Sequence, residues 1–258
     1  MSLKPFGKLN FLFDARTKNP LFVMKRNFSN FITLLKRLGI VVFIFMLIRV
    51  SFYFYNKSYF GSIDFSTGWN IFIGGLRIDV STIIYLNGLF IVLHLLPFNF
   101  ISERWYQLIL KISFLICNFF GILFSVGDIA YFPFSNKRAT MSLFSMASDF
   151  WNLLPRYCRD YWYVLLFLIL MVVMMEYMYR LTQKIHEKGK INYPIQILLF
   201  LVGLILTVIG ARGGLQNKPI SPLTAIEYVD INLTCSMLIP NPKSLYYILM
   251  LHNSFLKY

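Results

Sequence analysis

The sequence predicts an all-α polytopic membrane protein, with five transmembrane helices and flanking interfacial amphipathic helices. Three observations carry this. Of 258 residues, 57% are apolar or aromatic and only 14% are charged, against about 25% charged in an ordinary soluble domain. The 27 Phe and 16 Tyr stand against only 11 acidic residues, more apolar surface than soluble cores of this size can hide. Five stretches also hold roughly the ~20 apolar residues that a bilayer crossing needs.

Residues 1–37 form a basic segment without the features of a cleavable signal, since no small-x-small site follows the first apolar run. Within it, Phe28–Arg37 is expected to lie along the membrane surface. The spans are Leu38–Tyr55, Ile71–Leu96, Trp105–Gly127, Tyr161–Tyr179 and Ile191–Gly210. The second is long enough to tilt, and Pro194 sits in the first turn of the fifth, where a missing N–H costs little. Helices are the form expected, because lipid cannot satisfy open backbone groups and the runs lack the alternation of barrel strands. Between the third and fourth spans, Phe144, Ala147, Trp151 and Leu154 recur at helical spacing, as in an interfacial helix or one packed on the bundle. Residues 211–258 form a tail opened by Arg212-Gly213-Gly214 and Pro219, with Ser244–Leu256 apolar but too short to span.

Net charge is +14, and its distribution gives an orientation. Residues 1–37, 97–104 and 180–190 carry eight, one and four Lys and Arg. Residues 56–70, 128–160 and 211–258 carry one, four and four over a much longer stretch. The denser side is cytoplasmic, so the N-terminus is inside and the C-terminus outside. Trp69, Trp105, Trp151 and Trp162 lie at or near span ends, as interface anchors do. No basic face or aromatic platform suited to nucleic acid is present, so the charge points to lipid headgroups and topology.

Few residues could carry chemistry. Cys117, Cys158 and Cys235 lack metal-ligand spacing; Cys158 and Cys235 share a side and either pair or stay free. No nucleophile motif appears, and His94, His186 and His252 are scattered. Arg77 and Asp79 are the most unusual pair. A charge inside a span costs ~2.5–3.5 kcal/mol on insertion scales, so each needs a partner. Two positions on a helix turn through ~200°, so the partners lie on different neighbours. Arg77 shares a stripe with Ser81 and Tyr85; Asp128, Lys137, Arg138 and Arg212 on the same side are the expected partners. Two readings stand, a lipid-headgroup site and a structural ion-pair network. Arg49, Lys111 and Glu176 are expected to snorkel to the interfaces.

An ordered set of segments is also present. Gly75-Leu76-Arg77-Ile78-Asp79-Val80-Ser81 lies in the second span, and Gly127-Asp128-Ile129-Ala130-Tyr131-Phe132 follows the third, with Lys137-Arg138 after it. Leu154-Pro155 and Asp160-Tyr161-Trp162 lead into the fourth, and Ala211-Arg212-Gly213-Gly214-Leu215-Gln216 follows the fifth. This set resembles the membrane domain of the lipoteichoic acid synthase family, the membrane-bound sulfatases or phosphoglycerol transferases of bacterial cytoplasmic membranes. The resemblance runs from about Leu38 to Asn241. It implies five helices carrying an outer alkaline phosphatase-type domain, whose Thr nucleophile and divalent metal, usually manganese, transfer a phospholipid head group. This chain ends at Tyr258, where the linker to that domain is expected, so no catalytic residue, metal or cofactor is carried over. Arg77, Asp79, Asp128, Lys137, Arg138, Arg212 and Gln216 remain as residues for lipid-headgroup contact or packing. The expectation is a membrane anchor and lipid-presenting module, not itself an enzyme. Its partners would be membrane phospholipids and a separately encoded phosphatase-type domain. The alternatives are an autonomous small transporter or lipid-handling protein, and a membrane subunit that docks a separate soluble phosphatase-like enzyme.

Overall fold

The computed structural model describes residues 20–60, 64–135, 155–156, 158–183 and 193–214. Outside them lie Lys137, Arg138, Gln216, Trp151, Cys235, the Phe144–Leu154 helix and the Ser244–Leu256 segment. The pairing of Cys158 with Cys235 therefore falls outside as well.

The chain is all-α, and no strand occurs among the described residues. The helices are α1 (Pro20–Tyr55), α2 (Phe65–Leu86), α3 (Gly88–Leu95), α4 (Arg104–Ser135), α5 (Trp162–Leu181) and α6 (Tyr193–Arg212). Four of them are long and apolar enough to cross a membrane, and α2 with α3 make a fifth crossing if taken as one bent span.

Helix α1 is the hub, packing against α2, α3, α4, α5 and α6. Its buried residues Leu34, Arg37, Val41, Ile44, Ile48 and Phe52 recur every three or four positions, the stripe that a 3.6-residue period places on one face. In α4 the same logic aligns Tyr106, Leu110, Phe114, Asn118, Ile122 and Ile129. Helix α5 packs mainly on α4, and α6 on α2 and α3.

These last two helices decide the environment. Only 17% of the α5 span and 11% of the α6 span are buried, against 44% for α1. Leu198, Leu201, Ile205, Leu206 and Val208 of α6 all face outward. So wide an apolar girdle would aggregate in water and is satisfied in lipid. Trp69, Trp105 and Trp162 are exposed near helix starts, as interface anchors are.

Three expectations change. Phe28–Arg37 does not form a separate surface segment; it continues into α1, with Thr33, Leu34 and Arg37 buried in the bundle. The third helix runs on through Gly127–Phe132 to Ser135 instead of ending at Gly127. The second span is not one tilted helix, because α2 and α3 meet at Asn87 with a 66° bend. Asn87 leaves the helical conformation (φ −98°, ψ 12°) while its amide donates to the Ile83 carbonyl, competing with the backbone ladder. The same amide exchanges two hydrogen bonds with Asn118 of α4, at 2.9 and 2.8 Å. Both side chains are fully buried, so the bend is fixed by a polar clasp inside the bundle.

Candidate functional site

Two polar clusters punctuate the bundle, one near each end. The end where α1 stops and α6 stops is called the exit end; the opposite one is the entry end.

The exit-end cluster is built on Gly75–Ser81 of α2. Gly75 and Asp79 are four residues apart, so they share a face. That face meets α1, where Arg49 Nη2 donates to Asp79 Oδ1 at 2.5 Å and to the Gly75 carbonyl at 3.3 Å. Asp79 is 1% exposed and Arg49 9%. Gly75 is required by this contact, because a Cβ there would lie 2.7 Å from Arg49 Cζ. Arg49 thus turns inward to a carboxylate and does not snorkel. The reason is energetic: Asp79 needs a cation, and the arginine fork meets it without crossing any lipid.

Arg77 and Ser81 point the other way, as the ~200° rotation requires. They meet the end of α6. There, Gly214 N donates to the Ile209 carbonyl and Gly213 N to the Gly210 carbonyl, both at 3.0 Å, the pattern of a Schellman cap. Gly213 (φ 79°) supplies the left-handed residue this cap needs. Arg77 Nε donates to the Gly213 carbonyl at 2.8 Å, and Ser81 Oγ donates to the Ala211 carbonyl. Both carbonyls belong to the negative end of the α6 dipole, where a cation is favoured.

Asp79 thus has a partner, Arg49 of α1, that was not among those expected, and Arg77 donates to the Gly213 carbonyl just after α6. Asp128 is fully buried on α4, and Arg212 is exposed at the last turn of α6. Asp128's own segment docks beside the end of α1, where buried Asn56 donates to the Phe52 and Ile129 carbonyls and Phe132 meets Phe52 and Phe60. Gly75–Ser81, Gly127–Phe132 and Ala211–Gly214 are thus all at the exit end.

The entry-end cluster centres on Arg37, which is 1% exposed. Its Nε donates to Thr182 Oγ1 at 3.3 Å, its Nη1 meets His94 Nδ1 at 3.3 Å, and its guanidinium lies 4.3 Å from the Tyr179 ring centroid. Arginine only donates, so His94 Nδ1 accepts and the ring proton sits on Nε2. Nε2 then donates to the Asn30 carbonyl at 3.2 Å. Lys111 and Glu176 do not snorkel either. They pair across α4 and α5 at 2.6 Å, with Arg180 adding a second bond to Glu176 at 2.8 Å.

Sequence reasoning missed Arg37, His94, Asn87 and Asn118. The buried stripe through Leu34, Val41 and Ile44 would have placed Arg37 inside, and Asn87-Gly88 in an apolar run is a break signal. Nothing in the sequence pairs Arg37 with His94, because that contact spans 57 positions.

Among the described residues, no group of three His, Cys, Asp or Glu is placed to hold a metal ion. What the exit-end arrangement places together chemically is the Arg77 guanidinium on the Gly213 carbonyl and the exposed Arg212 at the last turn of α6. No protein-family model, curated protein or solved structure matches the chain.

Proposed function

We propose that this chain is the membrane module of a phosphoglycerol transferase of the lipoteichoic acid synthase kind. It sits in a bacterial cytoplasmic membrane with its N-terminus inside and its exit end outside. It anchors the enzyme and holds anionic phospholipid at the outer interface. The chemistry belongs to a phosphatase-type domain, joined to this module or encoded separately. One observation carries the reading. Three of the described segments behind the resemblance, Gly75–Ser81, Gly127–Phe132 and Ala211–Gly214, far apart in the chain, converge at the exit end, two of them bound directly through Arg77–Gly213 and Ser81–Ala211. Arg77 and Arg212 supply the cations a glycerophosphate headgroup needs.

The test is the purified chain in nanodiscs of phosphatidylglycerol and phosphatidylcholine. Native mass spectrometry should find phosphatidylglycerol retained preferentially, and Arg77→Ala should weaken that preference. With manganese added, the 258-residue chain should release no head group. Turnover by the chain alone, or a preference that Arg77→Ala leaves intact, overturns the reading. Exposed Cys158 reports the orientation: an impermeant maleimide should reach it from outside the cell.

The transporter reading has one observation in its favour, the broken helix at Asn87, since such breaks line transport sites. Asn87 and Asn118 are fully buried and satisfy each other there. That closes the position, so the anchoring role is better supported.

A further inference from the structure

At the entry end, on the outer flank of the bundle, α1 and α5 leave a groove of about 370 Å³. This lies within the ~300–1,000 Å³ of ordinary ligand sites. Its α1 wall carries Lys36, Ile40 and Phe43, and its α5 wall carries Met178, Leu181 and Thr182. Gly39 opens it, since a Cβ there would meet nothing within 4 Å.

We infer that this groove binds one anionic phospholipid, its headgroup at Lys36 and an acyl chain along Ile40, Phe43 and Met178.

Depth supports the assignment. From Tyr55 back to Lys36, α1 rises roughly 30 Å at 1.5 Å per residue, the thickness of a bilayer's hydrocarbon core. Lys36 thus lies at headgroup level when Tyr55 lies at the opposite interface, and Ile40 and Phe43 lie one and two turns deeper, among the acyl chains. The polar end and the apolar length of the groove match the two parts of a phospholipid in the same order.

Charge selects the headgroup. Lys36 is exposed in the groove wall, while its neighbour Arg37, about 100° round the helix, is buried in the bundle. The partners of Arg37 among the described residues are a hydroxyl, a ring nitrogen and an aromatic face, none of them an anion. The Thr182 hydroxyl is already committed, accepting from Arg37 and donating to the Tyr179 carbonyl at 2.7 Å. Direct headgroup contact accordingly falls to Lys36. On α5, Glu176 is held between Lys111 and Arg180, so its charge is compensated.

The test uses the full chain in nanodiscs of equal phosphatidylglycerol and phosphatidylcholine, followed by native mass spectrometry and cross-linking with an acyl-chain diazirine lipid. The wild type should hold one phosphatidylglycerol in this groove, besides any at the exit end, and cross-link at Met178 or Ile40. Lys36→Gln should lower the preference for phosphatidylglycerol about fivefold, the effect of one lysine near an anionic surface. Gly39→Leu should abolish occupancy whatever the headgroup, and the space around Gly39 lets that variant fold. Cross-links spread evenly over α5 and α6, or equal headgroup ratios in wild type and Lys36→Gln, would mean non-selective surrounding lipid and overturn the inference. So would full occupancy in Gly39→Leu. The exit-end reading is probed by Arg77→Ala at the other end of the bundle, so the failure of one leaves the other distinguishable.

Discussion

Arg37 and Arg49 lie on the same helix, both nearly out of contact with the surroundings, yet they are held in different ways. Arg49 meets a carboxylate, Asp79, at 2.5 Å. Arg37 meets the Thr182 hydroxyl, the His94 ring and the face of Tyr179. In the first case a full negative charge offsets the desolvation of the cation. In the second, dipoles and a ring quadrupole share the task. The contrast shows that nearness to a membrane interface does not send a long cationic side chain outward. Rotation about the helix decides, and both arginines belong to the stripe that α1 turns toward its neighbours.

The two anchorages should fail differently. The largest effect is expected at the exit end. Asp79→Ala strands a buried guanidinium and should cost about 3–5 kcal/mol, read as a loss of thermal stability in nanodiscs. The Arg49→Met/Asp79→Leu double variant should regain most of it, because the pair is then replaced by packing. A double variant as unstable as Asp79→Ala would show that the pair contributes more than charge compensation.

At the entry end, Arg37→Met should cost about 1–3 kcal/mol, since it leaves neutral groups under-bonded and no stranded ion. The same unfolding experiment checks the order of the two. If Arg37→Met proves as damaging as Asp79→Ala, the division between charge-paired and dipole-held arginine fails.

The smallest effect sharpens the comparison from outside the bundle. Asp64 caps α2, its carboxylate accepting from Ser66 Oγ at 2.9 Å and from Ser66 N at 3.4 Å. The Ser66 hydroxyl, then the Phe65 and Ser66 amides, hold its carboxyl below the usual carboxylate range. A lowered folded-state pKa means the cap contributes fully above the unfolded value of ~3.9 and is lost as pH falls through the folded one. Protection of the Ser66 and Gly68 amides, taken relative to intrinsic exchange, should therefore fall as pH drops below about 4, and Asp64→Asn should remove that dependence. An unchanged pH profile in Asp64→Asn would show that the carboxylate does not set it.

Much of the fold was legible beforehand. The apolar runs place the fourth and fifth spans to within two residues at each end, because bilayer thickness imposes their length. The separation of Arg77 from Asp79 was legible too, since helical geometry alone turns them apart. Their partners were not. Sequence alone gives Arg49 to the lipid headgroups and looks for the partner of Asp79 on another helix or loop, with Arg49 not among the candidates. Lys111 and Glu176, read as two independent snorkelling side chains, form one ion pair. In each case the missing information was which helix lies beside which.

Local sequence therefore determined what each segment is. Composition demanded lipid, the span lengths demanded helices, and the glycines after Arg212 demanded a cap. Tertiary structure alone decided whom each buried polar group meets. It placed α1 at the centre, bent the second span at Asn87 onto Asn118, and brought residues 30, 57 and 136 positions apart within bonding distance. The physical reason is that hydrophobic periodicity acts along the chain and fixes which face turns inward. A buried charge or amide is satisfied across helices, and the one-dimensional pattern carries no record of that neighbour.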